Sequence, residues 1–474
     1  MKNLYKYLLI FTATALLVSC GESDLEPTLA LDKDLDSGIN NADDLAFVMN
    51  SAYDRMTATS YYGRDQIVMG DVRTDNAYSN MNSGRFANSD MDYNSNGAGP
   101  WSQIYRVIAI TNIVIGADTS KLEGDPARIT HIQGQAHAIR ALAHFDLLQD
   151  YGQHFITGQG GASSLGIPYV KTYKDPANLE PARGTVASNI GDIAADLTSA
   201  ISMMNDSYNS SSSYMSKAGA YAILARATLY AGSVDPSLYS TADSAAKWLI
   251  ANSGAAPVGA NGFVASFVTD NASNSIFELA MSGTDNRGIN GIANILRGPT
   301  YGDVRVLTGD GTNPDLMDIY DAEDVRGGSD MLGQAQGYPT MLGKFPTMNG
   351  SDNITLFRIE EMHLIYAEAM LRAGDAATAL TYLNNIPTLR NATLYTEATL
   401  DNILNERRKE FYAEGLRFYD LARTGKDMPL VDAVKQMNDD KTGTPPAYGS
   451  YRYAYPISIS ERNANPNIQQ NYGY

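Results

Sequence analysis

Residues 363–386, HLIYAEAMLRAGDAATALTYLNNI, constrain the fold more than any other stretch. Two apolar helical periods flank Gly374-Asp375, a turn where glycine supplies backbone freedom that other residues lack. Small Ala367 sits midway along the first period, where a partner helix must come close. Ala379 and Leu383 return from the second to pack against it. Neither helix can bury its stripe alone, so the pair has to stack on a neighbour. The pattern recurs. AILARATLYAG (222–232) copies the first half, and STADSAAKWLIAN (240–252) follows after a longer turn. The periods over 126–151 and 185–204 form a third, more widely separated pair. Further upstream, Leu45, Val48, Met49, Ala52 and Met56 share one helical face, as do Trp101, Ile104, Ile108 and Ile115. Ala136, Ile139, Ala143 and Leu147 line another, and Thr185 is a good N-cap for Ile190, Ile193, Leu197 and Ile201. Trp101 and Trp248 lie on apolar faces and read as core.

The repeated unit loosely resembles a tetratricopeptide repeat, with variable spacing and a displaced closing proline. The expected fold is therefore mainly α: tetratricopeptide-like helix pairs in an α-α superhelix, with long loop-rich insertions and a few short strands. The best strand signals are 276–281 and 305–307; most of 260–350 is rich in Gly, Asn, Asp and Pro. Loops of that length tend to carry function.

The only cysteine is Cys20, at the end of an apolar run that starts behind Lys2 and Lys6. The run is too short to cross a bilayer, where a helix needs roughly 20 residues, but suits a secretory signal. Leu-Val-Ser-Cys resembles the lipobox of bacterial lipoproteins, which implies that Cys20 is acylated and becomes the first residue. The division expected is a signal peptide over 1–19, an acidic tether over 20–39 and a single domain over 40–474. That domain would hold paired helices (40–260), a loop-rich region (261–345) and a C-terminal repeat and tail (346–474). The formal charge is −18, and about −20 once Lys2 and Lys6 are removed. Such a body has no long-range attraction for nucleic acid or anionic membrane. With one cysteine in the chain, no internal disulfide can form.

Two later blocks are more specific: LGKFPTMNGSDNITLFRIEEMHLIYAEAMLRAGD and ILNERRKEFYAEGLRFYDLARTGK, followed by YAYPISISERNANPNIQQNYGY at the end. Taken in order, they resemble the SusD/RagB family of outer-membrane lipoproteins. GPWSQIYRVIAITN, GQAHAIRALAHFDLLQDYG and DIYDAEDVR extend the resemblance upstream. Ser458 and Tyr472 depart from it where the family often has proline. The resemblance implies a surface-exposed lipoprotein on the outer membrane of a Gram-negative bacterium. It would capture an oligosaccharide and hand it to a SusC-like TonB-dependent transporter without catalysis. Peptide capture, as in RagB-like members, is the alternative, and a glycan-degrading enzyme ranks below both.

By the residues alone, Glu406, Arg407, Arg408, Glu410, Arg417, Asp420 and Arg423 read as a salt-bridged network. Paired carboxylates hydrolyse glycosides, so Glu406 and Glu414 are the catalytic alternative. His131, His137 and His144 lack zinc-site spacing, and no nucleophile elbow or P-loop occurs. No cofactor is expected. The one metal candidate is calcium on Asp92, Asn94 and Asn96, a half loop without its closing Glu. The family resemblance places ligand on the loops over about 60–98 and 285–345. Candidates there are Tyr61, Tyr62, Arg73, Asp75, Asn76, Tyr78, Phe86, Tyr93, Asn286, Arg287, Tyr301, Arg305 and Tyr338. Tyr78, Tyr93, Tyr301 and Tyr338 are favoured because they punctuate Gly/Asn-rich loops without helical periodicity. Flat tyrosine faces stack on sugar rings while Asn, Asp and Arg bond hydroxyls.

Overall fold

A computed structural model describes residues 38–309, 314–437 and 443–474. The signal, Cys20 and most of the tether fall outside the described residues. Helix α1 (Ala42–Met56) starts under Asn41, whose side chain caps Asp43 and Asp44 N–H, and is followed by short α2 (Asp65–Val72). Then come α3 (Trp101–Gly116), α4 (Pro126–Tyr151), α5 (Val186–Met203), α6 (Lys217–Ala231) and α7 (Tyr239–Asn252). Each packs on the next, and α1 also lies on α3, so the helices stack as consecutive layers. Thr185 caps α5 through the Ser188 N–H, as its sequence requires.

After one-turn α8 (Ala260–Phe263) and α9 (Ile292–Arg297), the stack resumes with α10 (Ile359–Arg372) and α11 (Ala376–Leu389). Helix α10 packs on α7 as well as on α11, so the 363–386 pair continues the superhelix. Gly374 has φ 86°, the left-handed turn expected between the two. Ala367, Ala379 and Leu383 are all fully buried at that seam. Helices α12 (Leu400–Phe411), α13 (Arg417–Arg423), α14 (Ala433–Gln436) and α15 (Ile459–Ala464) complete the chain. One apolar core runs from Ala42 to Ile468, with a small satellite under α10, α11 and α12.

Strands are short and form separate antiparallel pairs among the described residues: β1 (Ala77–Ser79) with β3 (Val304–Val306), β2 (Ser275–Leu279) with β6 (Ile354–Arg358), and hairpin β4 (Leu332–Ala335) with β5 (Tyr338–Met341). The two sequence-read strands correspond to β2 and β3. Trp101 is buried as expected, but Trp248 is only half-buried. Its ring stacks on Tyr221 at 4.0 Å between centroids, at the edge of the core.

The charged C-terminal block is an inward-facing network. Arg326 donates to Glu406 (2.6 Å) and Asp324 (2.8 Å), and Arg358 to Glu410 (2.9 Å) and Glu414 (2.7 Å). Arg390 donates to Glu410 (2.8 Å) and Glu360 (3.1 Å). Glu406 and Glu410 have no exposed surface. Burial alone would raise the Glu410 pKa, yet the Arg390, Arg358 and Arg326 guanidiniums hold it far below the usual carboxylate range. Glu406, Glu410 and Glu414 are thus each paired with cations inside the fold.

Candidate functional site

The loop-rich stretches over 60–98 and 285–345 meet in space. The joint is polar and specific. Asn80 N–H donates to the Asp303 carbonyl (2.8 Å) and its side-chain amide to Gly302 (3.0 Å). Ser83 closes on the Asp303 carboxylate through both N–H (3.0 Å) and hydroxyl (2.6 Å). Arg85 donates to Asn290 Oδ1 (2.9 Å), and its guanidinium lies 4.2 Å from the Tyr301 ring centroid. Next to it Arg64, paired with Asp65 at 2.6 Å, lies 5.9 Å from the Phe86 ring.

The second half of the site is the β4–β5 hairpin. Gln336 and Gly337, with φ 53° and 81°, are the pair of left-handed residues that a tight hairpin turn needs. The Gln336 amide donates to the Gly298 carbonyl, and Thr340 to that of Leu296 (2.8 Å). Arg297 adds bonds to the carbonyls of Met341 (3.2 Å) and Phe345. So anchored, the hairpin sets Tyr338 with its ring 4.7 Å from the Arg305 guanidinium, and half of Tyr338 stays exposed. Arg305 is itself buried and pairs in register with Tyr78 across β1–β3. It donates to Gln336 Oε1 at 3.3 Å.

The result is a ledge with partly exposed Phe86, Tyr301 and Tyr338, backed by Arg64, Arg85 and Arg305 respectively. A cleft of about 320 Å³ opens beside it, between Arg64, Arg85 and Phe86 on one wall and Tyr419 and Tyr455 on the other. Cations under the rings fix their tilt, since a guanidinium is attracted to an aromatic face.

Of the sequence-read candidates, Tyr78, Phe86, Tyr301, Arg305 and Tyr338 come together here, Arg305 beneath the surface rather than on it. The others are corrected by burial or by local bonding. Tyr61 and Tyr62 are core residues whose hydroxyls both donate to Asp146, at 2.5 and 2.7 Å. Arg73 is sandwiched 3.7 Å from Phe418 and 4.8 Å from Tyr455, and buried Tyr93 packs edge-on to Tyr455. Asp75 is gripped by Arg417 (2.9 Å) and Arg408 (3.2 Å), and Asn76 bridges Arg408 to Asp71. These residues lock the 60–98 loop to α12 and α13. Asn286 bonds within its own turn, to Ser282 and Gly283 carbonyls. Arg287 ties that turn to Thr57 at the end of α1 (2.6 Å).

The calcium candidate is organised without a cluster. Asp92 ion-pairs with Arg452 (3.3 Å), while Asn94 Oδ1 accepts the Asn96 N–H (2.9 Å) in a local turn. Among the described residues no group of three His, Cys, Asp or Glu side chains could hold a metal. His131, His137 and His144 bond to Asn209, Asp196 and the Arg140 carbonyl, three separate places.

Two family models cover most of the chain: the SusD family over residues 341–474, and a family described as starch-binding, associating with outer membrane, over 24–229. The chain belongs to the SusD-like family. Starch-binding protein SusD of Bacteroides thetaiotaomicron is 33% identical over 144 residues, 30% of this chain and 24% of that protein. SusD-like protein P38 of Formosa agariphila is 30% identical over 135 residues, 26% of this chain and 25% of its own length. The aligned stretches thus span about a quarter of these curated relatives. A crystal structure of a SusD superfamily protein from Bacteroides thetaiotaomicron shares 27% identity, with TM-score 0.78 over 91% of this chain and 99% of that one. In this SusD-like chain the site residues not read from sequence are Arg64, Arg85, Asn290 and Gln336. Each was hidden because its role depends on a partner about 30 to 230 residues away.

Proposed function

We propose that this SusD-like protein captures an oligosaccharide on the ledge formed by Phe86, Tyr301 and Tyr338. It then passes the ligand to a SusC-like TonB-dependent transporter at the outer membrane, held there by an acylated Cys20. The observation that carries the reading is the geometry of the rings. Tyr301 and Tyr338 each lie against a guanidinium and stay partly exposed, and Asn80, Arg85 and Asn290 supply polar groups beside them. Rigid tyrosines give flat contact area at low entropy cost. A sugar's axial C–H face can stack on such a ring while its hydroxyls reach the polar rim. The starch-binding description of the family and of the SusD relative supports the ligand class. Release to a partner needs capture without cleavage, and the enclosure of Glu406, Glu410 and Glu414 by arginines and Lys344 supports that.

The test is affinity electrophoresis and calorimetry against soluble starch and a panel of other glycans, followed by Tyr338→Ala and Tyr301→Ala. Each true contact should lose about 1–3 kcal/mol of binding free energy with unchanged circular dichroism. Folded single variants that both bind like wild type would exclude this ledge. Binding of oligopeptides but of no glycan would replace the sugar reading with peptide capture.

A further inference from the structure

A cleft of about 880 Å³ lies away from the ledge, within the volume range of small-ligand sites, roughly 300–1,000 Å³. It opens at a seam of the superhelix. Gly232 and Ser233 follow the end of α6, Arg372 and Ala373 stand at the end of α10, and Thr424 follows α13. The facing wall is the first turn of α7, with Tyr239, Ser240 and Asp243. Helices end in unsatisfied carbonyls and carry partial negative charge there, so α6 and α10 turn negative ends to this space, against one positive end at the start of α7.

The side chains repeat that polarity. Ser233 donates its hydroxyl proton to the Tyr230 carbonyl (2.7 Å), and Ser240 to that of Ser237 (2.8 Å). Ser237 donates to Asp235 (2.7 Å), and Thr424 to the Asp420 carbonyl (2.7 Å). With these protons committed, the hydroxyls have only lone pairs to offer a ligand. Asp243 contributes a carboxylate whose buried Oδ1 has no hydrogen-bond partner. Lys247, one turn further along α7, forms no ion pair with it among the described residues. The two guanidiniums in the wall are already matched: Arg423 by Glu368 (2.7 and 2.8 Å) and Asp420 (3.0 Å), Arg372 by Glu368 (3.3 Å). What remains is one unmatched carboxylate, a ring of acceptors and part-exposed Tyr448, the Tyr239 ring already being paired with the Arg372 guanidinium at 5.1 Å.

We propose that this cleft is a second binding site and that its ligand bears a protonated amine. An ammonium group supplies three donors and no acceptor, the complement of the unmatched carboxylate and the hydroxyl lone pairs. The same chemistry comes from an amino-sugar unit or from a simple diamine. The seam is separate from the ledge, so the proposal stands whether or not the ledge binds glycan.

Isothermal titration of the full chain with three probes tests it: the glucosamine trisaccharide, its N-acetylated counterpart, and cadaverine. The free-amine trisaccharide should bind, weaken with added salt, and lose about tenfold or more in affinity in Asp243→Asn, because an ion pair becomes an ion–dipole bond. That variant replaces an unpartnered carboxylate with an amide of equal size, and thermal melting checks that it is folded. Tyr338→Ala should leave this affinity unchanged. Cadaverine binding as tightly as the trisaccharide identifies the amine alone as the ligand; trisaccharide binding without cadaverine identifies the amino sugar. No binding of either amine, equal binding of the N-acetylated trisaccharide, or an unaffected Asp243→Asn would each overturn the proposal.

Discussion

Glu410 shows how much a single side chain carries. Its two oxygens accept from Arg326 (3.2 Å), Arg358 (2.9 Å) and Arg390 (2.8 and 3.0 Å), all buried. A buried ion network is a weak source of net stability, but breaking it leaves charge with no partner. Glu410→Gln should therefore cost about 3–5 kcal/mol, read as a drop in the urea midpoint, while a surface change such as Glu397→Gln stays within about 0.5 kcal/mol. The network was legible in the sequence as charge density, but its burial was not. Glu and Arg are seldom fully buried, so a run like ERRKEFYAEGLR reads as a wet helix until its partners at 326, 358 and 390 are in place. The same limit applies to the ledge. Tyr61 and Tyr301 both look like loop tyrosines; only Asp146, about 85 positions away, makes the first a core residue.

At the scale of elements, the paired helices were readable because their apolar stripes and turn glycines are local signals. Strand β1, the pairing of β3 with it and the β4–β5 hairpin were not. Three- and four-residue strands carry too little alternation, and their register depends on distant partners. Helix α4 has a further property. Its Asp146 and Asp150 lie one turn apart and fully buried, and burial pushes their pKa values up, to about 7 and about 6. Tyr61 and Tyr62 donate to Asp146, with Arg226 near, and Tyr419 donates to Asp150. An unfolded Asp titrates near 3.9, so between pH 4 and 7 the folded chain binds protons that the unfolded chain releases. Their contribution is complete below about pH 4 and is lost as pH rises through 6 and 7. The network carboxylates, held low, act in the opposite sense at acid pH. Asp146→Asn should flatten the fall in stability between pH 5 and 7 by on the order of 2 kcal/mol, measured by urea unfolding at several pH values. An equal slope in wild type and variant would contradict this assignment.

For the whole molecule, the anchor expectation belongs to the front of the chain. Cys20→Ser should abolish incorporation of a fatty-acid analogue and release the protein from the outer-membrane fraction; retained label would remove the lipoprotein reading. The rest of the molecule is knitted across great sequence distance. Strand β1 pairs with residues 304–306, Asp75 with Arg408 and Arg417, and Arg73 with Phe418 and Tyr455. Asn471 donates to the carbonyls of Tyr151 and Tyr455, and Arg183 reaches Gln469 and Asn471. Contacts this distant slow folding, because the loop must close before they stabilise anything. The order of synthesis and the order of assembly therefore run against each other. A nascent chain stopped near residue 400 already holds Asp71, Arg73, Asp75 and Asp150, yet Ala413, Phe418, Arg417 and Tyr419, which bond or cover them from the last segment, have not been made. Until the final segment is made, the N-terminal half lacks the partners that close its polar interior, so its packing is completed only with the arrival of the last residues.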